Sequence, residues 1–118
     1  MLRLVHIFDI KPGVPESSFI EWLDSALMER SRKYGCLERK TWLFLDGLEG
    51  TYEKNRPVKR PRYLHEAFWE NQEGAEQFRK WLLSEEANEF RRKWFGAIQD
   101  HTVLRYVDFR PPGAVTDD

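Results

Sequence analysis

Cysteine is almost missing from this 118-residue chain, with Cys36 the single one. No disulfide can form within the chain, and neither a CxxC redox pair nor a Cys-rich zinc site is available. A reducing, cytoplasmic setting is the matching expectation, and Cys36, beside Gly35, reads as an inert structural thiol. A surplus of one charge is also lacking: 19 Lys and Arg stand against 20 Asp and Glu. That balance argues against a surface dedicated to nucleic acid or to an anionic membrane, since both need clustered positive charge. Long apolar runs are absent too. Arg3 and Asp9 interrupt Met1 to Ile10, so this stretch does not read as a signal peptide, and no segment has the length of a membrane span. No Gly-rich phosphate loop, HExxH, GxSxG or paired-carboxylate motif occurs, which leaves nucleotide binding, zinc hydrolysis and serine hydrolysis without support. Histidine is scarce: His6, His65 and His101 are widely spaced, and no metal site is expected from them.

Aromatic residues are plentiful. They make up 14% of the chain and include five Trp, more rings than a small core readily encloses, so some are expected at a pocket or an interface. The length suits one domain, over 1–110, followed by a flexible C-terminal tail at 111–118.

Leu2 to Ile10 reads as a strand, with Leu2, Leu4, His6, Phe8 and Ile10 at the even positions and Val5 and Ile7 making the other face apolar toward the middle. Lys11-Pro12-Gly13-Val14-Pro15 stops it. One helix is expected from Pro15 to about Tyr34, on the spacing of Phe19, Leu23, Leu27 and Tyr34, with Gly35 as its stop. Leu37 to Leu45 reads as an edge strand, polar at first and then apolar (Trp42, Leu43, Phe44, Leu45), its far half covered. Residues 46–60 form an irregular, increasingly basic connection, expected to be mobile without ligand. Tyr63 to Trp69 is a third strand. Asn71 caps a long helical pattern from Glu73 to Ile98, with a bend or break near Ser84. A last strand follows at about His101 to Phe109.

The order strand, helix, strand, strand, helix, strand is that of the α+β, ferredoxin-like βαββαβ arrangement, a four-stranded antiparallel sheet with both helices on one face. Right-handed crossovers set the first and third strands side by side in the centre. If the face with His6 packs on the helices, Val5, Ile7, Leu64 and Phe68 remain on the other. Such a patch calls for a second subunit, so a homodimer through the helix-free face is expected.

Over roughly residues 1–109 the chain resembles the dimeric α+β barrel superfamily, and within it the antibiotic-biosynthesis-monooxygenase-like proteins. The resemblance rests on the element order, on the Lys11-Pro12-Gly13 turn, and on Glu66, Trp69, Glu73, Phe78, Trp81 and Ser84. These are similar to that family's run of a Glu and a Trp ending strand three, an acidic helix start and a short segment leading to a Ser. The resemblance implies a cofactor-independent, monooxygenase-like activity on a small apolar or aromatic substrate held between sheet and helices. Two departures accompany it. Glu66 and Trp69 are one residue further apart than in the usual pattern, and Trp81 stands where many such monooxygenases have a helix His. In the haem-degrading branch a Trp precedes a similar Ser, beside a strand-one Asn, where His6 stands here, and an iron-ligating helix His. After Ser84 this chain offers Phe90 and Trp94 but no His, so no cofactor is expected and haem lacks its helix ligand.

The residues that carry chemistry are His6 and His65, on the less charged faces of neighbouring strands, as proton-transfer groups, with Tyr63 orienting a substrate oxygen. Phe8, Trp69 and Trp81 are the pocket walls. The alternative makes both imidazoles buried, neutral and satisfied, and the aromatics plain core or interface, in a non-catalytic homodimeric ligand-binding or interaction protein. His101, at a strand start, is expected to face solvent. An RNA-binding domain of the same topology is disfavoured, because Arg62 to Glu70 does not provide exposed strand aromatics in basic surroundings. An enclosed cavity beside His6 favours the enzyme; a filled interior favours the binding protein.

Overall fold

The computed structural model describes residues 1–45 and 62–109. The basic connection at 46–60 and the tail at 111–118 therefore lie outside the described residues. The chain runs β1 (Leu2–Ile10), α1 (Glu16–Asp24), α2 (Ala26–Arg32), β2 (Cys36–Leu43), β3 (Tyr63–Trp69), α3 (Gln72–Leu82), a 3-10 turn (Glu85–Ala87), α4 (Asn88–Phe95) and β4 (Ile98–Val107). All pairings are antiparallel, in the order β2-β3-β1-β4, so β1 and β3 are central as expected. The α+β, ferredoxin-like architecture is present. Its core gathers Leu2 and Phe8 of β1, Phe19, Leu23 and Leu27 of α1 and α2, Ala67 and Trp69 of β3, and Phe78, Leu82 and Trp94 from the second helical layer.

Both helical stretches differ in part from expectation. The first is distorted at Ser25 (φ −114°), whose hydroxyl donates to the Glu21 carbonyl at 2.5 Å. Back-bonding of this kind bends helices. The backbone bonds Ser25 N to Glu21 O (3.0 Å) and Glu29 N to Ser25 O (2.9 Å) carry across the distortion, so α1 and α2 form one bent rod. The second pattern breaks near Ser84, where a break was expected, and it ends at Phe95 rather than at Ile98. Ile98 is instead the first residue of β4 and pairs with Ile10, because a strand partner was available that periodicity within the helix does not report. The start of α3 is capped as expected, with the Asn71 side chain accepting from the Gly74 amide at 2.8 Å. A Cβ at Gly74 would lie 2.0 Å from the Tyr34 carbonyl oxygen, so a side chain there would push α3 off the end of the first helical layer. Gly35 adopts φ +100°, which turns the chain from that layer into β2.

The far half of β2 departs from expectation. Trp42, Leu43, Phe44 and Leu45 are all exposed, Leu45 at 89%. On the helix side, β2 meets α1 and α2 through Thr41 with Asp24 and Arg39 with Ser31, and Leu43 lies beyond them; Trp42, opposite Leu64, is on the helix-free face.

On the helix-free face Val5 is buried, while Ile7, Leu64 and Phe68 are half-buried. This face is not wholly apolar. Glu66 lies in its middle, 7% exposed, accepting from Arg3 Nε at 2.9 Å and from Trp42 Nε1 at 3.0 Å.

Candidate functional site

Period-two alternation sends His6, Phe8, His65 and Trp69 to the helix side, and the β1/β3 register sets His6 directly opposite His65. The two rings are 6.3 Å apart between centroids. The β2/β3 register then places Thr41 opposite His65 and Arg39 opposite Ala67, so two polar residues of the edge strand enter the same interior.

His65 has no solvent exposure and a partner at each nitrogen. Arg39 Nη1 lies 3.3 Å from its Nε2, and since a guanidinium can only donate, Nε2 must accept. Thr41 Oγ1 donates to Asp24 Oδ1 at 2.7 Å, which leaves that oxygen to accept from Nδ1–H of His65 at 2.8 Å. The ring is therefore neutral, with its proton on Nδ1. Burial lowers its pKa and the Arg39 charge adds to this, while Asp24 acts in the opposite direction. The hydrogen-bonded series runs Asp24, Thr41, His65, Arg39, Ser31, ending where Arg39 Nε donates to Ser31 Oγ at 3.0 Å.

His6 is 6% exposed and makes a different contact: its Nδ1 is 2.8 Å from Nε2 of His101. One ring donates and the other accepts, so the contact accommodates one proton between the two nitrogens; a second would set two N–H groups head to head. Burial holds His6 well below the usual imidazole range, reinforced by His65, His101 and Arg39. Trp94 packs on His6 at 4.9 Å. His101, expected at the surface, is half-buried, stacked on Phe95 at 5.6 Å and lowered in pKa by burial. The reason is the β1/β4 register: with His6 paired to Val103 and Ile7 to Thr102, His101 follows on the helix side beside Phe8 and His6, before the β-bulge shifts the pairing to Asp9 with Gln99.

The remaining expected site residues divide. Phe8 is fully buried and stacks on Tyr63 at 5.7 Å, and Trp69 is buried against Phe78. The Tyr63 hydroxyl leads away from the imidazoles and donates to Glu16; burial and that carboxylate raise its pKa. Tyr63 lines a cleft of about 400 Å³ with Glu16, Glu21, Asp24, Thr41 and Leu43. Trp81 belongs to another cleft, of about 660 Å³ between the two helical layers, where the Arg30 guanidinium stands 4.1 Å over its ring. The structure thus joins His6, His65, Phe8 and Trp69, keeps the Tyr63 ring on Phe8 with its hydroxyl turned to Glu16, and sets Trp81 apart.

Arg39, Thr41, Asp24, His101 and Trp94 complete the interior and were not singled out as site residues from the sequence. A signal for two of them existed: Arg39 and Thr41 alternate along β2 with the period that placed His65. Among the described residues no three His, Cys, Asp or Glu side chains converge as metal ligands, and no helix is long and apolar enough to cross a membrane. Haem fits poorly. All three histidines lie on strands, and both nitrogens of His65 are engaged by Thr41 and Arg39.

No protein-family model matches the sequence, and no curated protein does. Solved structures do resemble it. A hydroxynitrile lyase from Passiflora edulis is 18% identical, with 94% of this chain and 96% of that chain covered and a TM-score of 0.59. A cofactor-independent oxygenase from Streptomyces nogalater, solved as a mutant, is 12% identical over 95% and 96%, with a TM-score of 0.57. A dimeric ferredoxin-like protein of unknown function from Thermobifida fusca is 11% identical over 89% and 88%, with a TM-score of 0.54. At such identities the likeness concerns the fold, which carries several activities. On element order, sheet topology and these likenesses, the chain has a ferredoxin-like α+β fold.

Proposed function

We propose that this protein binds a small apolar or aromatic molecule between its sheet and its helices and transforms it by proton transfer at His6, without a resident cofactor. The observation that carries this reading is the 2.8 Å contact of His6 with His101. A buried imidazole held neutral is able to accept a proton at neutral pH, and a half-buried second imidazole on its other side provides the route to solvent. Trp94 and Phe8 give the apolar surroundings. In a monooxygenase-like reaction the substrate C–H proton goes to His6 and the carbanion passes electrons to dioxygen. One oxygen atom ends on that carbon as a carbonyl once a second C–H bond breaks, and the other leaves as water. The oxygenase of similar fold supports this direction. His65, with both nitrogens occupied, holds the interior in place rather than accepting the proton. A screen of small aromatic compounds by NMR tests the reading. Binders are expected to shift the His6 and Trp94 resonances, and any turnover measured as oxygen uptake is expected to vanish in His6→Gln while His101→Gln slows it. Binders that move neither residue would refute it.

The assembly proposed is a homodimer through the helix-free face, with a second copy of this chain as the occupant. Val5, Ile7, Leu64 and Phe68 lie on that face, and the similar Thermobifida fusca protein is dimeric. Val5 is already buried within one copy, so the gain comes from completing the burial of Ile7, Leu64 and Phe68, each a fraction of the roughly 1.5–3 kcal/mol of full burial. Phe68→Glu is expected to give monomers or aggregates by light scattering, whereas a stable wild-type monomer at micromolar concentration would defeat the proposal. A non-catalytic homodimeric binding protein is the second reading, favoured by the complete enclosure of His65.

A further inference from the structure

His6 and His101 meet nitrogen to nitrogen, Nδ1 to Nε2 at 2.8 Å, with the two rings stacked at 5.1 Å. A neutral imidazole carries its proton on one nitrogen and a lone pair on the other, whereas an imidazolium donates from both. Two arrangements of the neutral pair therefore fit this contact. In the first, His6 donates from Nδ1 to His101, and Nε2 of His6 keeps a lone pair. In the second, His101 donates from Nε2, His6 accepts at Nδ1, and the proton of His6 stands on Nε2. Only the first arrangement makes Nε2 of His6 a base. Among the described residues no side-chain hydrogen bond engages that nitrogen, since the one His6 makes is spent at Nδ1.

The two rings differ in their surroundings. His6 lies on the central strand β1, with His65 of β3, Arg39 of β2 and His101 of β4 as its titratable and charged neighbours and Trp94 as the uncharged one from α4. No carboxylate is among these, and a charge on His6 is opposed first by burial and then by the neighbouring imidazoles and the guanidinium. His101 lies on the edge strand β4, half-buried against His6 and Phe8 of β1 and Phe95 of α4, and Asp100 precedes it in the strand. Burial alone lowers its pKa. As the pH falls, the half-buried edge ring is therefore the one that comes to hold the first added proton.

We propose that His101 is a positioning residue that sets the tautomer of His6. Neutral His101 accepts from His6 Nδ1–H and leaves Nε2 free as the base; protonated His101 donates from Nε2, fixes the proton of His6 on Nε2, and switches the base off while His6 itself stays neutral. One proton is taken up in all. It stands on Nε2 of His6, and the proton that had been on Nδ1 passes to Nε2 of His101, which carries the charge. This rests on the reading of His6 as the proton-transfer group and adds how that group is regulated. An imidazole in the wrong tautomer loses rate on the order of 10⁴-fold in the serine-protease triad, which sets the scale of such a device.

Nitrogen-15 NMR of the histidine rings of the full chain, followed from pH 8 to pH 5, reads the tautomer directly, because protonated and lone-pair ring nitrogens give separate signals. At the upper end His6 is expected to carry its proton on Nδ1. Through the titration of His101 the Nδ1 and Nε2 signals of His6 should exchange character, with the ring neutral before and after. In His101→Gln, whose amide oxygen accepts from Nδ1–H and does not titrate, Nε2 of His6 should stay free across the range. Turnover should fall about tenfold per pH unit below the His101 titration in the wild type and show no such fall in His101→Gln. A His6 tautomer that stays constant while His101 titrates would overturn the inference, as would a His6 already protonated on Nε2 at the upper end, or the same exchange in His101→Gln. The wild-type spectra decide the matter if the variant does not fold. A constant tautomer together with oxygen uptake that vanishes in His6→Gln overturns the control by His101 and leaves the base reading standing. An exchange seen while no aromatic compound moves His6 upholds that control and removes the base reading.

Discussion

His65→Ala is expected to cost this protein about 2–5 kcal/mol of stability, the scale of a buried large-to-small truncation that also removes the acceptor of a charged donor. The ring is wholly enclosed and joins two sides of the interior, accepting from Arg39 and donating to Thr41. Alanine removes the acceptor that the buried guanidinium depends on, strands the Thr41 hydroxyl beside Asp24, and opens a cavity, each of which is destabilising by itself. Denaturant unfolding of the wild type, His65→Ala and His65→Gln is the measurement. Glutamine, which can both donate and accept, is expected to recover part of the loss. A cost below about 1 kcal/mol for alanine would mean that Arg39 and Thr41 find other partners readily, and that the series from Asp24 to Ser31 contributes little.

Acid is expected to weaken the fold in a window set by imidazoles rather than carboxylates. Burial depresses the folded pKa of both His6 and His65 below 6.5. The unfolded chain therefore takes up protons first as the pH falls through that value. The stability linked to these two groups is fully present above pH 6.5 and is lost as the pH drops toward the folded values. For a fully depressed group the slope is about 1.4 kcal/mol per pH unit, so the two together reach about 2.7 kcal/mol per unit. His101, also lowered, adds in the same direction. Asp24 is held below 3.8, chiefly through hydrogen bonds from His65 and Thr41 that outweigh its burial, so its own contribution fades only at lower pH. Denaturation at pH 7.5, 6.5 and 5.5 should show the decline, with His6→Gln making it shallower. A flat profile over that range would mean that the folded imidazoles protonate as free ones do.

The two expectations bear on the candidate site differently. Loss of His65 concerns the scaffold, while the depressed His6 keeps a neutral base at physiological pH. Both would hold whether the interior turns over a substrate or only binds one, and the aromatic-ligand experiments separate those cases.

The element order, the central pairing of β1 with β3, the Asn71 cap, the break near Ser84 and the facing of His6 to His65 were all legible in the sequence, because they follow from local periodicity, capping chemistry and alternation. The bend at Ser25 was not, since a hydroxyl that bonds its own i−4 carbonyl leaves the apolar spacing of Phe19, Leu23 and Leu27 intact. Nor was the exposure of Trp42 to Leu45, since Leu43 faces the helix side beyond the reach of the helices while Trp42 faces the helix-free side. His101 reads as a surface residue until the pairing of β4 with β1 sets it on the helix side against His6. Arg39 reads as one of several cations on a polar edge strand until three rings from β3, α3 and α4 close around it. Periodicity states which face of its own element a residue occupies. Which partners it meets there is decided by register and by the seating of distant elements, and the depressed imidazoles and the His6–His101 contact arise from those meetings.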